Sequence, residues 1–139
     1  MPTVLIADND RAVSGLLSDV LQRYGLQLEH AYDGEEAWRL ARSGSPDVLV
    51  CDLDMPGRSG LDVLESLREL DAPPTSVVIS GYLEASIEER LRALPFVEQV
   101  FRKPFDLLVF AGAVRRLASR AAAARIGRAE GEEGAATAY

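Results

Sequence analysis

The chain has 139 residues, a formal net charge of −7 and a hydrophobic content of 47%. A domain of this length buries about two thirds of the surface of its unfolded chain, so it needs no disulfide or structural metal to form a core. A single cysteine, Cys51, and a single histidine, His30, exclude a disulfide framework, a thiolate or His-cluster metal site and a Ser-His catalytic pair. No apolar stretch approaches the roughly 20 residues that cross a bilayer, so we expect a cytoplasmic protein without a membrane partner.

The charge is distributed unevenly along the chain. Residues 1–106 hold 19 acidic and 10 basic side chains, whereas residues 107–129 hold five arginines and no acid. An acidic body argues against a broad nucleic-acid-binding face, and we expect no direct nucleic-acid partner. The basic segment could still contact an acidic partner protein.

Short apolar runs alternate with segments of helical period along the chain. The five runs that predict strands are Thr3–Ala7, Leu26–Ala31, Asp47–Cys51, Ser76–Ser80 and Glu98–Arg102. Several of them are continuous apolar stretches, which is typical of strands buried on both faces.

Segments with apolar side chains at helical spacing separate these strands. The predicted helices span Val13 to Tyr24, Asp33 to Arg42, Leu61 to Leu67, Ile87 to Leu94, and about Asp106 to Ala124. The alternation predicts an α/β protein with a doubly wound (βα)5 parallel sheet in a single domain, residues 1–124. After Gly127 the residues are small, polar and without period, so we predict a disordered C-terminal tail over residues 125–139.

In a doubly wound sheet the ligand site lies at the carboxyl ends of the strands. The predicted strand ends carry Asp8, Asn9 and Asp10 after the first strand, Asp52 and Asp54 after the third, Ser80 after the fourth and Lys103 after the fifth. A carboxylate cluster, a hydroxyl and an ammonium group are therefore expected at one edge of the sheet. Oxygen ligands of this kind suit Mg²⁺, and a carboxylate beside such a cation can attack phosphorus and carry an aspartyl phosphate.

Each of these residues also has an ordinary structural explanation. Asp8 or Asp10 could cap the first helix, and Ser80 could be a turn residue. Lys103 could be a solvated charge, but it is the only lysine among 15 basic residues, so a chain that otherwise uses arginine has a compact point charge here. The combination at four strand ends is more specific than any of its members.

These residues occur in the order and at the separations of a known family. Asp8, the segment DLDMPGRSG at 52–60, Ser80-Gly81 and Lys103-Pro104-Phe105 resemble the response-regulator receiver domains, the CheY-like proteins of two-component signalling. The resemblance covers residues 3 to about 120. It implies a flavodoxin-like sheet with strand order 2-1-3-4-5 and a role in phosphorelay signal transduction.

The family resemblance implies a role for each site residue. Asp52 would accept a phosphoryl group from a phosphohistidine on a sensor histidine kinase or a histidine phosphotransfer protein. Asp52 and the backbone carbonyl of Asp54 would bind Mg²⁺ directly, and Asp8 would hold the cation through water. Ser80 would hydrogen-bond the phosphoryl group and Lys103 would pair with its oxygens. Phosphorylation would then change the surface of helix four, strand five and helix five, where a downstream protein would bind; homodimer formation stays open.

Two positions depart from the family pattern. The residue after Asp8 is usually a second acid and a direct metal ligand, but here it is Asn9, whose amide oxygen can coordinate Mg²⁺ with less charge. Weaker Mg²⁺ binding is therefore expected. The position three before Lys103 is commonly an aromatic that changes rotamer on activation, but here it is Val100. Phe101 follows, and the alternation of side chains along a strand directs it to the opposite face.

Two other functions stay open at this point. Asn9 and Val100 would also suit a degenerate receiver that binds a partner without being phosphorylated. Asp52 and Asp54 resemble the DxD signature of haloacid-dehalogenase-type phosphatases, in which the first Asp is the nucleophile and the second the acid-base. That family usually places DxD after its first strand, whereas here it follows the third. We therefore predict a phosphoacceptor that takes part in its own phosphorylation and dephosphorylation, and not an enzyme.

Overall fold

The structure, a computed structural model, describes the backbone of residues 1–137 and the side chains of residues 1–127. Within this range, five strands alternate with five helices. In chain order they are β1 (Thr3–Ala7), α1 (Arg11–Gln22), β2 (Gln27–Ala31), α2 (Gly34–Gly44), β3 (Val48–Asp52), α3 (Gly60–Leu67), β4 (Thr75–Ser80), α4 (Ala85–Arg92), β5 (Val97–Arg102) and α5 (Leu107–Thr137). The observed strands differ from the predicted ones by at most one residue at either end.

The five strands form one parallel sheet in the order β2-β1-β3-β4-β5. This order confirms the predicted doubly wound, flavodoxin-like α/β fold. The chain moves outward from β1 to β2 and then returns to the other side of β1, so the direction of winding changes between β1 and β3. Doubly wound folds bind ligands at the carboxyl ends of the strands beside this change.

Two apolar layers cover the sheet, one on each face. Leu5 of β1 packs in the layer formed with α2, α3 and α4, and its neighbours Val4 and Ile6 pack in the layer formed with α1 and α5. The central strand β3 is buried at all five positions, which explains its continuous apolar run up to Asp52. Asp52 is thus a charged side chain at the end of a fully buried strand.

Short polar side chains begin the first two helices. Asp10 caps α1 by accepting two backbone N–H groups at 3.0 and 3.2 Å. Asp33 caps α2 by accepting the backbone N–H of Glu36 at 2.8 Å. Of the two aspartates that the sequence offered as a cap for the first helix, Asp10 is the cap. Asp8 is therefore available for another role.

Helix α5 is longer than the sequence predicted. The predicted end near Ala124 is corrected to Thr137, because residues 125–137 contain no proline to end the helix and include arginine, glutamate and alanine, which favour it against the cost of three glycines. The disordered tail predicted over 125–139 stays a prediction. The guanidinium group of Arg125 donates to both carboxylate oxygens of Asp47, at 3.0 and 3.4 Å, and so attaches α5 to the start of β3. The domain boundary at residue 124 stays a prediction, and residues 138 and 139 lie outside the described range.

No helix in the described part of the chain combines the length and the apolarity that crossing a membrane requires.

The ring of Phe110 is expected to be a main stabilising group on the α5 side of the sheet. It is fully buried, with ring centres of Phe101 and Phe105 at 5.5 and 5.4 Å. Phe110→Ala should lower the free energy of unfolding by about 3–5 kcal/mol, because it leaves a cavity. The matched control is Leu108→Ala on the same helical turn. That side chain is 70% exposed, and its loss should cost less than about 0.5 kcal/mol. Urea denaturation measures both, and equal losses would contradict the expectation.

Candidate functional site

The carboxyl ends of β1 and β3 place two carboxylates beside each other. Asp8 follows β1 and Asp52 ends β3, and both side chains are almost fully buried. The preceding residues, Ala7 and Cys51, are opposite each other in the parallel register. Burying two like charges is unfavourable unless neighbouring groups compensate for them. The groups that do so define the site.

The ammonium group of Lys103 contacts this pair of carboxylates at Asp52. Its Nζ lies 2.9 Å from Oδ2 of Asp52, and its backbone N–H donates to the carbonyl of Ser80 at 2.9 Å. Burial by itself lowers the pKa of Lys103, but the hydrogen bond to Asp52 and the charges of Asp52, Asp8 and Asp54 outweigh burial, so the pKa is raised overall. Lys103 therefore remains a full positive charge beside Asp52.

Asp8 is hydrogen-bonded on one side only. Its Oδ1 accepts the backbone N–H of Asp10 at 2.8 Å, whereas its Oδ2 is buried and has no hydrogen-bond partner among the described residues. The pKa of Asp8 is raised to about 6, chiefly by burial and also by the charge of Asp52 and hydrogen bonding with it, against the opposing effects of the Asp10 N–H and Lys103. A buried oxygen without a partner is rare in folded proteins and points to a missing ligand.

The loop after β3 surrounds the carboxylate of Asp52. The backbone N–H of Asp54 donates to Oδ1 of Asp52 at 2.8 Å, so both oxygens of Asp52 accept a hydrogen bond. The side chain of Asp54 itself is exposed. Gly60, at the start of α3, packs so closely against the loop that a Cβ there would lie 2.2 Å from the backbone oxygen of Asp52. Only glycine therefore allows this loop conformation.

Ser80 ends β4 and is fully buried at the predicted edge of the sheet. Its hydroxyl donates to the carbonyl of Tyr82 at 2.6 Å and accepts the backbone N–H of Tyr82 at 3.2 Å. The hydroxyl is therefore engaged within the loop between β4 and α4. Sequence reasoning missed Tyr82, because its partnership with Ser80 uses backbone atoms that any residue could supply.

The oxygen atoms at this edge fit Mg²⁺, which takes one or two carboxylates, other oxygen ligands and several waters. The strongest indication is the buried, unpartnered Oδ2 of Asp8. Asp52 supplies a second carboxylate, and Asn9 is exposed directly after Asp8. Over the described residues, no three His, Cys, Asp or Glu side chains form a metal-binding group. A cation at this edge would therefore also depend on amide, carbonyl and water oxygens.

Comparison with known proteins identifies the family. Residues 4–115 match the family described as response regulator receiver domain. The transcriptional regulatory protein PrrA of Mycobacterium tuberculosis is 32% identical over 120 residues, which are 86% of this chain and 51% of PrrA. Sporulation initiation phosphotransferase F of Bacillus subtilis is 26% identical over 113 residues, 81% of this chain and 90% of that protein. The solved receiver domain of the Francisella response regulator 1452 has a TM-score of 0.78 at 26% identity, covering 86% of this chain and 98% of that chain.

The chain belongs to the receiver domain family of two-component response regulators. It spans about half the length of the curated PrrA relatives that it matches. Receiver domains are not classical enzymes, the family generally depends on Mg²⁺, and its members interact with histidine kinases or phosphotransfer proteins. The comparisons give no better support to a degenerate receiver or to a phosphatase.

Asp8→Asn should stabilise the protein in the absence of metal. The amide keeps an acceptor for the N–H of Asp10 and removes a buried negative charge next to Asp52, so the free energy of unfolding should rise by about 1 kcal/mol. Urea denaturation in the presence of EDTA measures this difference. A variant less stable than the wild type would show that the Asp8 carboxylate is already satisfied.

The same measurement with Mg²⁺ tests the site itself. Mg²⁺ should stabilise the wild type, because a ligand that binds only the native state raises its stability, and it should leave Asp8→Asn nearly unchanged. Asp33→Asn, which alters a helix cap on α2, is the matched control and should respond to Mg²⁺ like the wild type.

Proposed function

We propose that Asp52 accepts a phosphoryl group from a phosphohistidine on a sensor histidine kinase or a histidine phosphotransfer protein. The observation that carries this proposal is the contact of Lys103 Nζ with Asp52 Oδ2 at 2.9 Å, beside the unpartnered oxygen of Asp8. On this proposal the chain is a phosphoacceptor that assists its own phosphorylation and dephosphorylation, and not an enzyme with a separate substrate.

The transfer requires a carboxylate that is held still and a neighbouring positive charge. An oxygen of Asp52 attacks phosphorus, a P–O bond forms, and the P–N bond breaks with its electron pair left on the imidazole nitrogen, which then takes a proton. The N–H of Asp54 and the ammonium of Lys103 orient the carboxylate before the attack. Lys103 then pairs with the phosphoryl oxygens, where negative charge accumulates during transfer.

The residues that would hold Mg²⁺ are Asp52, the backbone carbonyl of Asp54, the amide oxygen of Asn9 and, through water, Asp8. When bound, the cation neutralises negative charge on the phosphoryl oxygens. Asp8 and Asp52 are the buried members of this set, whereas Asn9 and the Asp54 side chain are exposed. Since Asn9 supplies a dipole in place of a charge, Mg²⁺ should bind more weakly than it would beside a third carboxylate.

Ser80 is proposed to be the residue that senses the phosphoryl group. Its hydroxyl now closes the loop after β4 through Tyr82. When it donates instead to a phosphoryl oxygen, the bond to the Tyr82 carbonyl is lost and the loop must move. Helix α4, which follows this loop, has one buried residue, Leu91, and no side-chain cap. Its other attachments are the partly buried Ile87 and the ion pairs of Arg90 with Glu65 and of Glu88 with Arg102. Such exposed ion pairs contribute little stability, so α4 is open to displacement.

The output surface is proposed to be the face formed by α4, β5 and α5, where a downstream protein binds. A groove of about 370 Å³ lies between α4 and β5, and its lining includes Val100. Val100 is 39% exposed, whereas Phe101 packs on the opposite face against the rings of Phe105 and Phe110. This packing agrees with the orientation expected from strand alternation.

A small acyl phosphate with Mg²⁺ should add one phosphoryl group to the wild type, because the donor replaces the phosphohistidine. Intact-mass spectrometry detects the adduct. Asp52→Asn should give none, and EDTA should suppress the reaction. Asp54→Asn is the matched control, since it removes an exposed carboxylate two residues away and keeps the backbone carbonyl. An adduct that persists in Asp52→Asn would show that another group is the acceptor.

Phosphorylation should shift the backbone amide resonances from Ser80 to about Leu94 more strongly than the methyl resonances of Val100, which faces the groove beside α4. The reason is that the hydroxyl of Ser80 has a bond to exchange, whereas Val100 has no ring to rotate. Two-dimensional NMR of the free and phosphorylated protein checks this. Ser80→Ala should still be phosphorylated but show smaller shifts over the loop. If the largest changes centred on Val100 and Phe101, β5 would be the switch instead.

A further inference from the structure

The single tryptophan of the chain, Trp38 on α2, is in contact with the guanidinium groups of two arginines. The Cζ atom of Arg58 lies over the ring at 5.1 Å from its centre, and that of Arg42 lies at 5.5 Å. Cations at such distances are attracted by an aromatic ring. Arg42 belongs to α2 itself, whereas Arg58 belongs to the loop between β3 and α3. The contact of Arg58 therefore joins that loop to α2.

Two further contacts hold the same guanidinium group. Its Nη2 donates to the hydroxyl of Ser66 on α3, and its Nε lies 3.8 Å from Oε1 of Glu35 on α2. The planar guanidinium can make such contacts simultaneously because its donors point in several directions. Arg58 is thus attached to both helices that flank the loop, and its side chain is only 27% exposed.

The backbone of the loop also contacts α2. The N–H of Gly34, the first residue of α2, donates to the carbonyl of Pro56 at 3.3 Å. A Cβ at Gly34 would lie 1.9 Å from the carbonyl oxygen of Arg58, so only glycine allows the helix and the loop to approach so closely. Residues 56–58 are therefore attached to α2 by both backbone and side-chain contacts.

We propose that Arg58, through its contact with Trp38, is a positioning residue that fixes the loop carrying the Asp54 carbonyl for Mg²⁺ binding. The inference rests on the proposed function of the site. Asp54 lies between two attachments, its own N–H bond to Asp52 and the contacts of residues 56–58 with α2. Loss of the Arg58 side chain weakens the second attachment, although the Gly34–Pro56 backbone bond remains. The carbonyl is then less restricted and is directed at the cation for a smaller fraction of the time.

Isothermal titration calorimetry with Mg²⁺ alone tests this on the full chain. Arg58→Ala should weaken Mg²⁺ binding about tenfold, as removal of a group that supports a metal ligand typically does. The charge of Arg58 predicts the opposite sign, because losing a cation near two carboxylates favours binding of a divalent cation. Weaker binding therefore indicates positioning, and unchanged or tighter binding would overturn the proposal.

Variants around the same ring provide the controls. Arg42→Ala also removes a guanidinium group that lies over the Trp38 ring, but Arg42 does not belong to the loop. This variant should therefore bind Mg²⁺ like the wild type. Trp38→Phe keeps an aromatic ring and should retain most of the affinity, whereas Trp38→Leu should lose affinity in the same direction as Arg58→Ala but less of it, because Ser66 and Glu35 still hold the guanidinium. Equal weakening in Arg42→Ala and Arg58→Ala would overturn the proposal, since the effect would then come from the surroundings of Trp38 in general.

Two readouts separate positioning from the alternatives. If Arg58 served stability alone, Arg58→Ala would lower the Tm without Mg²⁺ and leave the Mg²⁺ affinity of the folded protein unchanged. If it positions the loop, saturating Mg²⁺ should restore phosphorylation of Arg58→Ala to nearly the wild-type rate. A wild type that binds Mg²⁺ but accepts no phosphoryl group would refute the proposed function, and the comparison of Mg²⁺ affinities would still decide the role of Arg58.

Discussion

The burial of two carboxylates at one edge of the sheet is the constraint on which the rest of the site depends. Asp8 and Asp52 are almost inaccessible to solvent, and the ammonium of Lys103 contacts only one of them. This arrangement costs folding free energy, which the two apolar layers of the sheet must offset. A site that is unfavourable when empty gains more from a bound cation than a solvated carboxylate pair would, because one buried oxygen, Oδ2 of Asp8, has no competing partner among the described residues.

The order of the strands explains why these groups meet. β1 and β3 are neighbours, so Asp8 and Asp52 are adjacent without any long connection. β5 is separated from β3 by β4, which is two strand spacings, about 10 Å, and the long side chain of Lys103 crosses that distance. Ser80 ends the intervening strand. Four strand ends in a row thus supply two carboxylates, a hydroxyl and an ammonium.

The sequence predicts the parts of this arrangement that follow from periodicity. Strands buried on both faces are continuous apolar runs, and the carboxyl ends of parallel strands lie at the same edge of the sheet. The sequence alone therefore predicts that Asp52 and Lys103 lie at one edge. The choice between Asp8 and Asp10 as the helix cap could not be predicted, because both are aspartates near the same helix start. The contact of Arg58 with Trp38 was equally inaccessible, since it depends on the packing of a loop against a helix that is distant in the chain.

A phosphoryl group can change the surface formed by α4, β5 and α5 only through residues that have two alternative arrangements. Phe101 packs between two other rings with centres at 5.5 Å, so moving it would disrupt the core. Val100 lies beside the groove with a short branched side chain that makes no alternative hydrogen bond.

A switch requires two arrangements of similar free energy that a ligand binds unequally. The hydroxyl of Ser80 meets this requirement, because it exchanges one hydrogen bond to a backbone carbonyl for another to a phosphoryl oxygen. The loop that this exchange releases leads directly into α4, where the described side chains include one buried residue, Leu91, so the proposed sensor lies next to a helix with a small share in the core.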